Sequence, residues 1–178
     1  MLRAPTFSYG VPLPGGPFAG RAGLGRKTLH RAVNELLAQW EDHGISDFSI
    51  ITAHRYEPHL EALLMALTAS AEHNVFDLYG IDTSDLLESD PEHEHGGELE
   101  TSLLLHLAPD CVHLDGAADF VVEARRLRKY TSGRVPTPPP ESRGVVGSPG
   151  LATPEKGRLV FERYVDTIAG ELRRSSRD

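Results

Sequence analysis

The sequence predicts an α/β protein, a three-layer α/β/α arrangement with a mostly parallel central sheet. Two short apolar runs, FSIITA from Phe48 and NVFDLYGI from Asn74, have the composition of buried strands. A helical pattern separates them, and the order strand, helix, strand at this spacing is typical of a parallel βαβ unit. Further helices are predicted before and after this unit.

The first two helices are defined by apolar stripes and stop signals. One is predicted from about residue 27 to 43, and Gly44 supplies its stop. Pro58 can begin the other, which we expect to end near His73. The predicted core positions are Leu29, Val33, Leu36 and Trp40 in the first helix and Leu60, Leu63, Leu64 and Leu67 in the second.

The second half of the chain is predicted to hold two more helices. One runs from about Glu98 to Leu107, and the run CVHLD after it has the composition of a short strand. The last helix begins after Thr153, a good N-cap followed by proline. Its predicted stripe consists of Phe161, Val165, Ile168 and Leu172. We expect a single domain over residues 1–178, with the Pro/Gly-rich segment 131–150 as a surface loop within it.

Composition excludes several classes of function. The net charge of -8 argues against a nucleic-acid partner, which requires clustered lysines and arginines. No apolar run reaches the ~20 residues of a membrane span. Cys111 is the only cysteine, so an internal disulfide and a cysteine-based zinc site are excluded. Without a signal pattern or disulfides, a cytoplasmic protein is expected.

His54 lies where a predicted strand ends and a helix begins. In open parallel sheets, ligands bind at this carboxyl edge. Glu57 follows in the same turn, which can aim both side chains at one point. His59 is five residues away and does not give the i, i+4 spacing of a helical metal clamp. The alternative is a turn histidine whose hydrogen bonds are satisfied.

The stretch PEHEHGGELETS, residues 91–102, concentrates acid/base groups around two glycines. Glu94 can fix the tautomer of His95, and the pair can then transfer protons. Gly96 and Gly97 allow the backbone to approach a ligand closely. A solvated acidic loop would explain the same charges, and the helix dipole is sufficient to explain Glu100 in the first turn of the next helix. A serine or cysteine nucleophile is not favoured, because neither Ser102 nor Cys111 has a paired base in the sequence.

Four stretches, taken in order, resemble the creatininase family. EHGGELETSLLLHLAPD is similar to its His-Gly-Gly, two residues, Glu-Thr-Ser-Leu pattern, and ITAHRYEPH to its strand that ends in Asn-Gly-His. PFAGRAGLGRKTL resembles its Phe-Pro-Gly-Thr loop, and GVVGSPGLATPEKGRLVFE its closing Gly-Val-x-Gly and Glu-Lys-Gly segment. The resemblance covers nearly the whole chain.

The resemblance implies a compact α/β/α fold, a homo-oligomer that in this family is often a hexamer, and hydrolysis of a cyclic amide or related C–N bond of a small molecule. It implies a divalent metal centre, zinc or manganese, with iron as a further option. By the same resemblance His54 is a metal ligand, and Glu57 or Glu100 is the second carboxylate ligand. His95 with Glu94 is the catalytic pair, and Tyr56, Gly96 and Gly97 contact the substrate.

The resemblance also implies a departure from the family pattern. Relatives carry a first strand with a Glu-x-His-Gly-x-His-Leu-Pro-like motif, followed by an Asp, that supplies most of the metal ligands, and this sequence begins at Met1 downstream of that motif. The resemblance therefore predicts an N-terminally incomplete domain whose hydrolase activity is impaired without the missing ligands. The alternative is a non-catalytic binding or assembly module of the same fold. The string HRYE indicates that the substrate is not creatinine itself.

Overall fold

The structure of the chain, a computed structural model, describes residues 2–13, 21–66, 72–123, 126, 131–132, 135–136 and 138–175. Contacts group these residues into two compact units, one that ends at Asp77 and one that begins at Leu78. Each helix in the described part is too short or too polar to cross a lipid bilayer. The single domain over residues 1–178 stays a prediction.

The first unit contains two helices and a parallel pair of strands. Its elements are α1 (Arg26–Asp42), β1 (Asp47–Thr52), α2 (Glu57–Met65) and β2 (Glu72–Asp77). The strands pair in register from Asp47 opposite Glu72 to Thr52 opposite Asp77. Because α2 connects two neighbouring parallel strands, this is the βαβ unit that the sequence predicted, and the α/β class is confirmed.

Helix α1 begins and ends within one residue of its predicted bounds. Gly44 follows it with a positive φ of 84°, the conformation for which glycine is suited at a helix end. The core side of α1 differs from the predicted stripe: Leu29 and Leu37 are buried, whereas Leu36 is 40% exposed. The prediction is confirmed at Leu29, and only Leu36 is wrong: its neighbour Leu37 takes the buried place, because the helical spacing suits either of two adjacent leucines.

Helix α2 is shorter than predicted. It begins at Glu57, with Pro58 in its first turn, and the described helix ends at Met65. The expectation that it ends near His73 is wrong, because His73 belongs to β2. Leu67 lies outside the described residues. The buried positions of α2 are His59, Ala62 and Leu63, while Leu64 is exposed.

The second unit is built on two packed helices, α3 (Glu98–Leu107) and α4 (Pro154–Ser175). Thr153 caps α4 as predicted, since its Oγ1 accepts a hydrogen bond from the Lys156 backbone N–H at 3.2 Å. Gly157 is the point of closest approach: a Cβ at this position would lie 1.9 Å from the carbonyl oxygen of Ser102 in α3. The buried stripe of α4 therefore continues from Gly157 through Val160, Tyr164 and Ile168.

Two predictions for this unit are corrected. Phe161 and Val165, expected in the core, are 38% and 48% exposed. The run CVHLD forms no strand; it lies across two 3₁₀ turns, Pro109–Cys111 and Leu114–Gly116. Proline at the start of one turn and glycine at the end of the other favour tight turns over an extended ladder.

The segment 131–150 is not at the surface throughout. Its described residues include the antiparallel strands β3 (Thr131–Ser132) and β4 (Val135–Pro136), and its residues 133, 134 and 137 lie outside the description. Residues 146–149 are buried, and Val146 is only 2% exposed. The burial follows from a backbone bridge to His95, which composition alone does not predict.

Candidate functional site

Two imidazole rings meet beyond the end of β1. The ring centroids of His54 and His59 lie 4.8 Å apart in an edge-to-face arrangement. His59 is buried, and its Nδ1 accepts a hydrogen bond from the Val11 backbone N–H at 3.3 Å. Since Nδ1 is the acceptor, the ring proton is on Nε2, which donates to Thr52 Oγ1 at 3.0 Å.

The pKa of His59 agrees with this neutral tautomer. Burial, and secondarily the neighbouring charge of His54, lowers its pKa to about 4. At neutral pH the ring is therefore uncharged and can accept the Val11 N–H. His59 is thus buried at the turn as a neutral histidine with both ring nitrogens hydrogen-bonded, although it lacks the spacing of a metal clamp.

His54 is held through the carbonyl of the same Val11. Its Nε2–H donates to the Val11 carbonyl oxygen at 2.7 Å. This hydrogen bond leaves Nδ1 as the ring nitrogen that can bind a metal. Histidines that bind metals almost always donate their other N–H to a carbonyl or carboxylate in this way.

Tyr56 and Glu57 extend from the same turn. The Tyr56 ring centroid lies 6.3 Å from that of His54, and the side chain is buried. Glu57 is the first residue of α2 and is exposed, so that its charge also suits the positive end of the helix dipole. The structure thus brings His54 and Tyr56 together. The roles of Tyr56 in substrate binding and of Glu57 as a metal ligand stay predictions.

In the second unit, Glu94 closes the N-terminus of α3. Its Oε2 accepts a hydrogen bond from the Glu98 backbone N–H at 2.9 Å, and its Oε1 accepts one from the Ser148 N–H at 3.3 Å. Burial raises the pKa of Glu94 above its usual value, although donors including Ser89 and Ser148 oppose that rise. The carboxylate therefore faces the backbone of its own unit and acts as a cap.

Two glycines make room for the Glu94 carboxylate. A Cβ on Gly97 would lie 2.4 Å from its Cδ, and a Cβ on Gly147 would lie 2.7 Å from its Oε1. Real Cβ atoms essentially never make contacts this short, so a side chain at either position would displace the carboxylate. Glycine at position 97 is thus required to make room for the Glu94 cap. A glycine was predicted here for a different reason, the close approach of a substrate.

His95 is fixed through its backbone. Its N–H and C=O exchange hydrogen bonds with Val146, each at 2.8 Å, in an isolated antiparallel bridge. The next residue, Gly96, has a positive φ of 65°, which favours glycine. The side chain of His95 is half-buried. The residue expected to transfer protons therefore lies in a turn whose backbone is held by two hydrogen bonds.

Glu100 stabilises this turn from the first turn of α3. One carboxylate oxygen accepts a hydrogen bond from the Tyr79 hydroxyl, and the other accepts one from the Gly96 backbone N–H. Both oxygens are consequently occupied by donors of the same unit. The role of Glu100 as a metal ligand stays a prediction, and its hydrogen bonds show a positioning contact that the sequence did not reveal.

Sequence reasoning also missed a buried ion pair behind the turn. Glu98 is fully buried and accepts a hydrogen bond from the ammonium group of Lys156, which also contacts Glu88 at 2.7 Å. Burial alone would raise the pKa of Glu98, but hydrogen bonds from Lys156, Ser89 and Glu88 outweigh it and hold this pKa below the usual value. The only signal in the sequence was the Glu-Lys-Gly string at residues 155–157.

A separate cluster offers metal-ligand atoms within the described residues. Asp90, Glu92 and His93 have one ligand atom each within 4.8 Å of one another, in a largely exposed part of the second unit. His54, Tyr56 and Glu57 belong to the first unit, and Glu94, His95, Gly96, Gly97 and Glu100 belong to the second.

Comparison with known proteins identifies relatives of this chain. The family model of creatininase, described as creatinine amidohydrolase, matches residues 1–172. The mycofactocin precursor peptide peptidase of Mycobacterium ulcerans (strain Agy99) is 28% identical over 181 residues, which is 97% of this chain and 66% of that protein. The creatinine amidohydrolase of Pseudomonas putida is 28% identical over 180 residues, 89% of this chain and 67% of that protein. The chain thus spans about two thirds of the length of these relatives.

Solved structures show the same fold. A Trp-to-Phe mutant creatininase superposes with a TM-score of 0.72 at 24% identity, over 94% of this chain and 72% of that chain. A Glu-to-Gln mutant creatininase of the Zn-Zn type gives a TM-score of 0.69 at 25% identity, over 90% of this chain and 68% of that chain. With the family match over residues 1–172, these similarities show that the chain belongs to the creatininase family.

Proposed function

We propose that the chain carries the active site of a metal-dependent amidohydrolase that cleaves a cyclic amide or a related C–N bond of a small molecule. The observation that carries this proposal is the creatininase match over residues 1–172. The hydrogen bond from His54 Nε2 to the Val11 carbonyl supports it, because it orients the ring and leaves Nδ1 for a ligand.

The donor atoms in the first unit suit a divalent metal. An imidazole nitrogen and a carboxylate are ligands for zinc, manganese and iron. We propose that His54 holds the metal and that Glu57, exposed in the same turn, is the carboxylate ligand. Glu100 is the weaker choice, because Tyr79 and Gly96 already donate to its two oxygens. When bound, such a metal polarises a carbonyl oxygen and lowers the pKa of a coordinated water.

The residues of the second unit are proposed to manage protons and to hold the turn. His95 accepts or donates the proton at its imidazole, the side chain that serves most often in general acid–base catalysis. Glu94 was expected to share this transfer. Its contacts with the Glu98 and Ser148 N–H groups favour the role of an anchor for the turn. Tyr56, Gly96 and Gly97 remain the proposed substrate contacts.

The substrate class is also a proposal. One relative is named for creatinine and another for a precursor peptide, so both a cyclic amide and a peptide amide are candidates. The string HRYE favours a substrate other than creatinine. We further propose that the chain forms a homo-oligomer, a hexamer by family resemblance, and that it is located in the cytoplasm. Exposed apolar side chains such as Leu104 and Leu107 support the expected association.

The test combines metal content and turnover. The purified chain would be loaded with zinc or manganese, analysed by elemental mass spectrometry, and assayed with cyclic amides and a peptide amide. We expect bound metal that His54→Ala loses, and turnover that falls by at least about 10²-fold in His95→Gln. His113→Gln, at an exposed histidine outside the site, is the matched control. Absence of both metal and turnover in the wild-type chain would favour the non-catalytic binding or assembly module.

A further inference from the structure

A short backbone strap crosses the two imidazoles of the first unit. The strap consists of Gly10 and Val11, and the Gly10 carbonyl is held in turn by the Leu24 N–H at 2.9 Å. A Cβ on Gly10 would lie 2.9 Å from His59 Nδ1 and 3.4 Å from His54 Cδ2. The strap therefore lies directly against both rings, and only a residue without a side chain fits there.

Val11 connects the two histidines through its own backbone. Its N–H donates to His59 Nδ1, and its C=O accepts from His54 Nε2. Because these two groups flank one Cα atom, fixing the N–H restricts the direction in which the C=O points. His59 is itself fixed by the hydrogen bond of its Nε2–H to Thr52 at the end of β1. A continuous series of contacts thus runs from Thr52 through His59 and Val11 to His54.

We propose that His59 is a positioning residue for His54, acting through Val11 to keep the His54 ring proton on Nε2 and to leave Nδ1 available to a ligand. This inference rests on the proposed function, in which His54 is a metal ligand. His59 does not touch the ligand in this role. Its contribution is to hold the carbonyl that His54 requires.

The geometry distinguishes this role from simple packing. An apolar residue of the same volume would fill the buried position of His59 in α2, but it would leave the buried Val11 N–H without an acceptor. The strap would then be free to shift, and the acceptor of the His54 proton would shift with it. Only an acceptor at the place of Nδ1 preserves both hydrogen bonds.

Two amide variants separate these possibilities. In His59→Asn the side-chain oxygen can occupy the place of Nδ1 and accept the Val11 N–H. In His59→Gln the amide is one methylene further out, near the place of Nε2, so that it faces Thr52 and leaves Val11 unpaired. The two variants are both polar and differ little in size. His43→Gln, at an exposed histidine after α1, is the control.

The first measurement is the exchange rate of the His54 Nε2 proton, observed by NMR in metal-free protein labelled with ¹⁵N-histidine and assigned with His54→Gln. We expect His59→Gln to speed this exchange about tenfold, the effect of losing one hydrogen bond, whereas His59→Asn and His43→Gln keep the wild-type rate. Circular dichroism verifies that each variant is folded. An unchanged rate in His59→Gln, or equal acceleration in His59→Asn, would overturn the inference.

The second measurement is the affinity for Zn²⁺, titrated calorimetrically as the chloride. Loss of a group that orients a metal-binding histidine typically weakens binding by about 10–100-fold, so we expect that loss in His59→Gln and its restoration in His59→Asn. If the wild-type chain binds no Zn²⁺, the proposed function is contradicted. The proton-exchange result still decides the role of His59, because it needs no metal.

Discussion

The fully buried carboxylate of Glu98 and the ammonium group of Lys156 form an ion pair that joins α3 to α4. Lys156 also donates to the Leu151 carbonyl at 2.8 Å, and Glu98 accepts from the Ser89 N–H at 2.7 Å. Because both ends carry further hydrogen bonds, the pair belongs to a network. This network holds Glu98, the first residue of α3, which follows the turn that contains His95.

Removing one member of the pair should destabilise the chain strongly. Lys156→Met leaves the Glu98 charge buried without its main partner, and we expect the free energy of unfolding to fall by about 3 kcal/mol or more. Urea unfolding followed by circular dichroism measures this change. Arg158→Met is the control, since its partners Glu155 and Glu162 are exposed and its effect should be much smaller. Equal losses in the two variants would contradict the prediction.

The Glu98 carboxylate should make the stability of the folded chain depend on pH. The pKa of Glu98 is lower in the folded chain than its ordinary value, so its contribution is fully present above the unfolded pKa of about 4.3. That contribution is lost as the pH falls through the folded pKa. We expect the wild-type chain to lose stability on acidification below about pH 5, and Glu98→Gln to show a flatter profile there. Parallel profiles for the two proteins would refute this assignment.

Gly157 and Gly170 should respond to alanine with opposite signs. A Cβ on Gly157 would lie 1.9 Å from the Ser102 carbonyl oxygen, so Gly157→Ala must separate α3 from α4 and should cost about 1–3 kcal/mol of stability. Gly170 lies in the same helix, and its nearest contact would be 3.9 Å away. Gly170→Ala should therefore gain about 0.5–1 kcal/mol from helix propensity. Thermal unfolding of both variants measures the difference, and a stabilised Gly157→Ala would refute the close approach.

Gly97→Ala should damage the turn of the candidate site. The new Cβ would lie 2.4 Å from the Glu94 Cδ, so the carboxylate must leave the N-terminus of α3. We expect a lower free energy of unfolding and a reduced turnover of whichever cyclic amide or peptide amide the wild-type chain hydrolyses. Gly116→Ala is the control, because a Cβ there meets nothing within 4 Å. If Gly97→Ala were as stable as the wild-type chain, the position of the Glu94 carboxylate at the N-terminus of α3 would not matter for stability.

Local sequence signals predicted the elements well where the chain itself carries the signal. The bounds of α3 follow from an apolar run that begins after two glycines, and α4 follows from Thr153 and Pro154. In α4 two stripes share Ile168, one through Phe161 and Val165 and one through Val160 and Tyr164. The spacing suits both stripes. Gly157 decides between them, because its missing side chain allows the backbone of α3 to approach on that side.

The candidate site was predicted only in part, for a related reason. His54, His95 and Glu94 were singled out by their local context, and the structure gives each of them a defined set of contacts. Glu98 was not, because the burial of a charged residue depends on a partner that is 58 residues away in Lys156. The role of His59 was equally invisible, since its partner Val11 lies 48 residues earlier in the chain. Contacts of this range leave no periodic trace in the sequence.

The strap over the two imidazoles also has a consequence for the order in which the chain folds. The strand–helix–strand segment from Asp47 to Asp77 contains both rings, but the backbone that orients His54 comes from a residue 43 positions earlier. Contacts between distant residues form more slowly than local ones, because a longer loop must close first. We therefore expect the first unit to form its sheet before the hydrogen bond that orients His54, so that a folding intermediate would have native secondary structure and a misoriented His54.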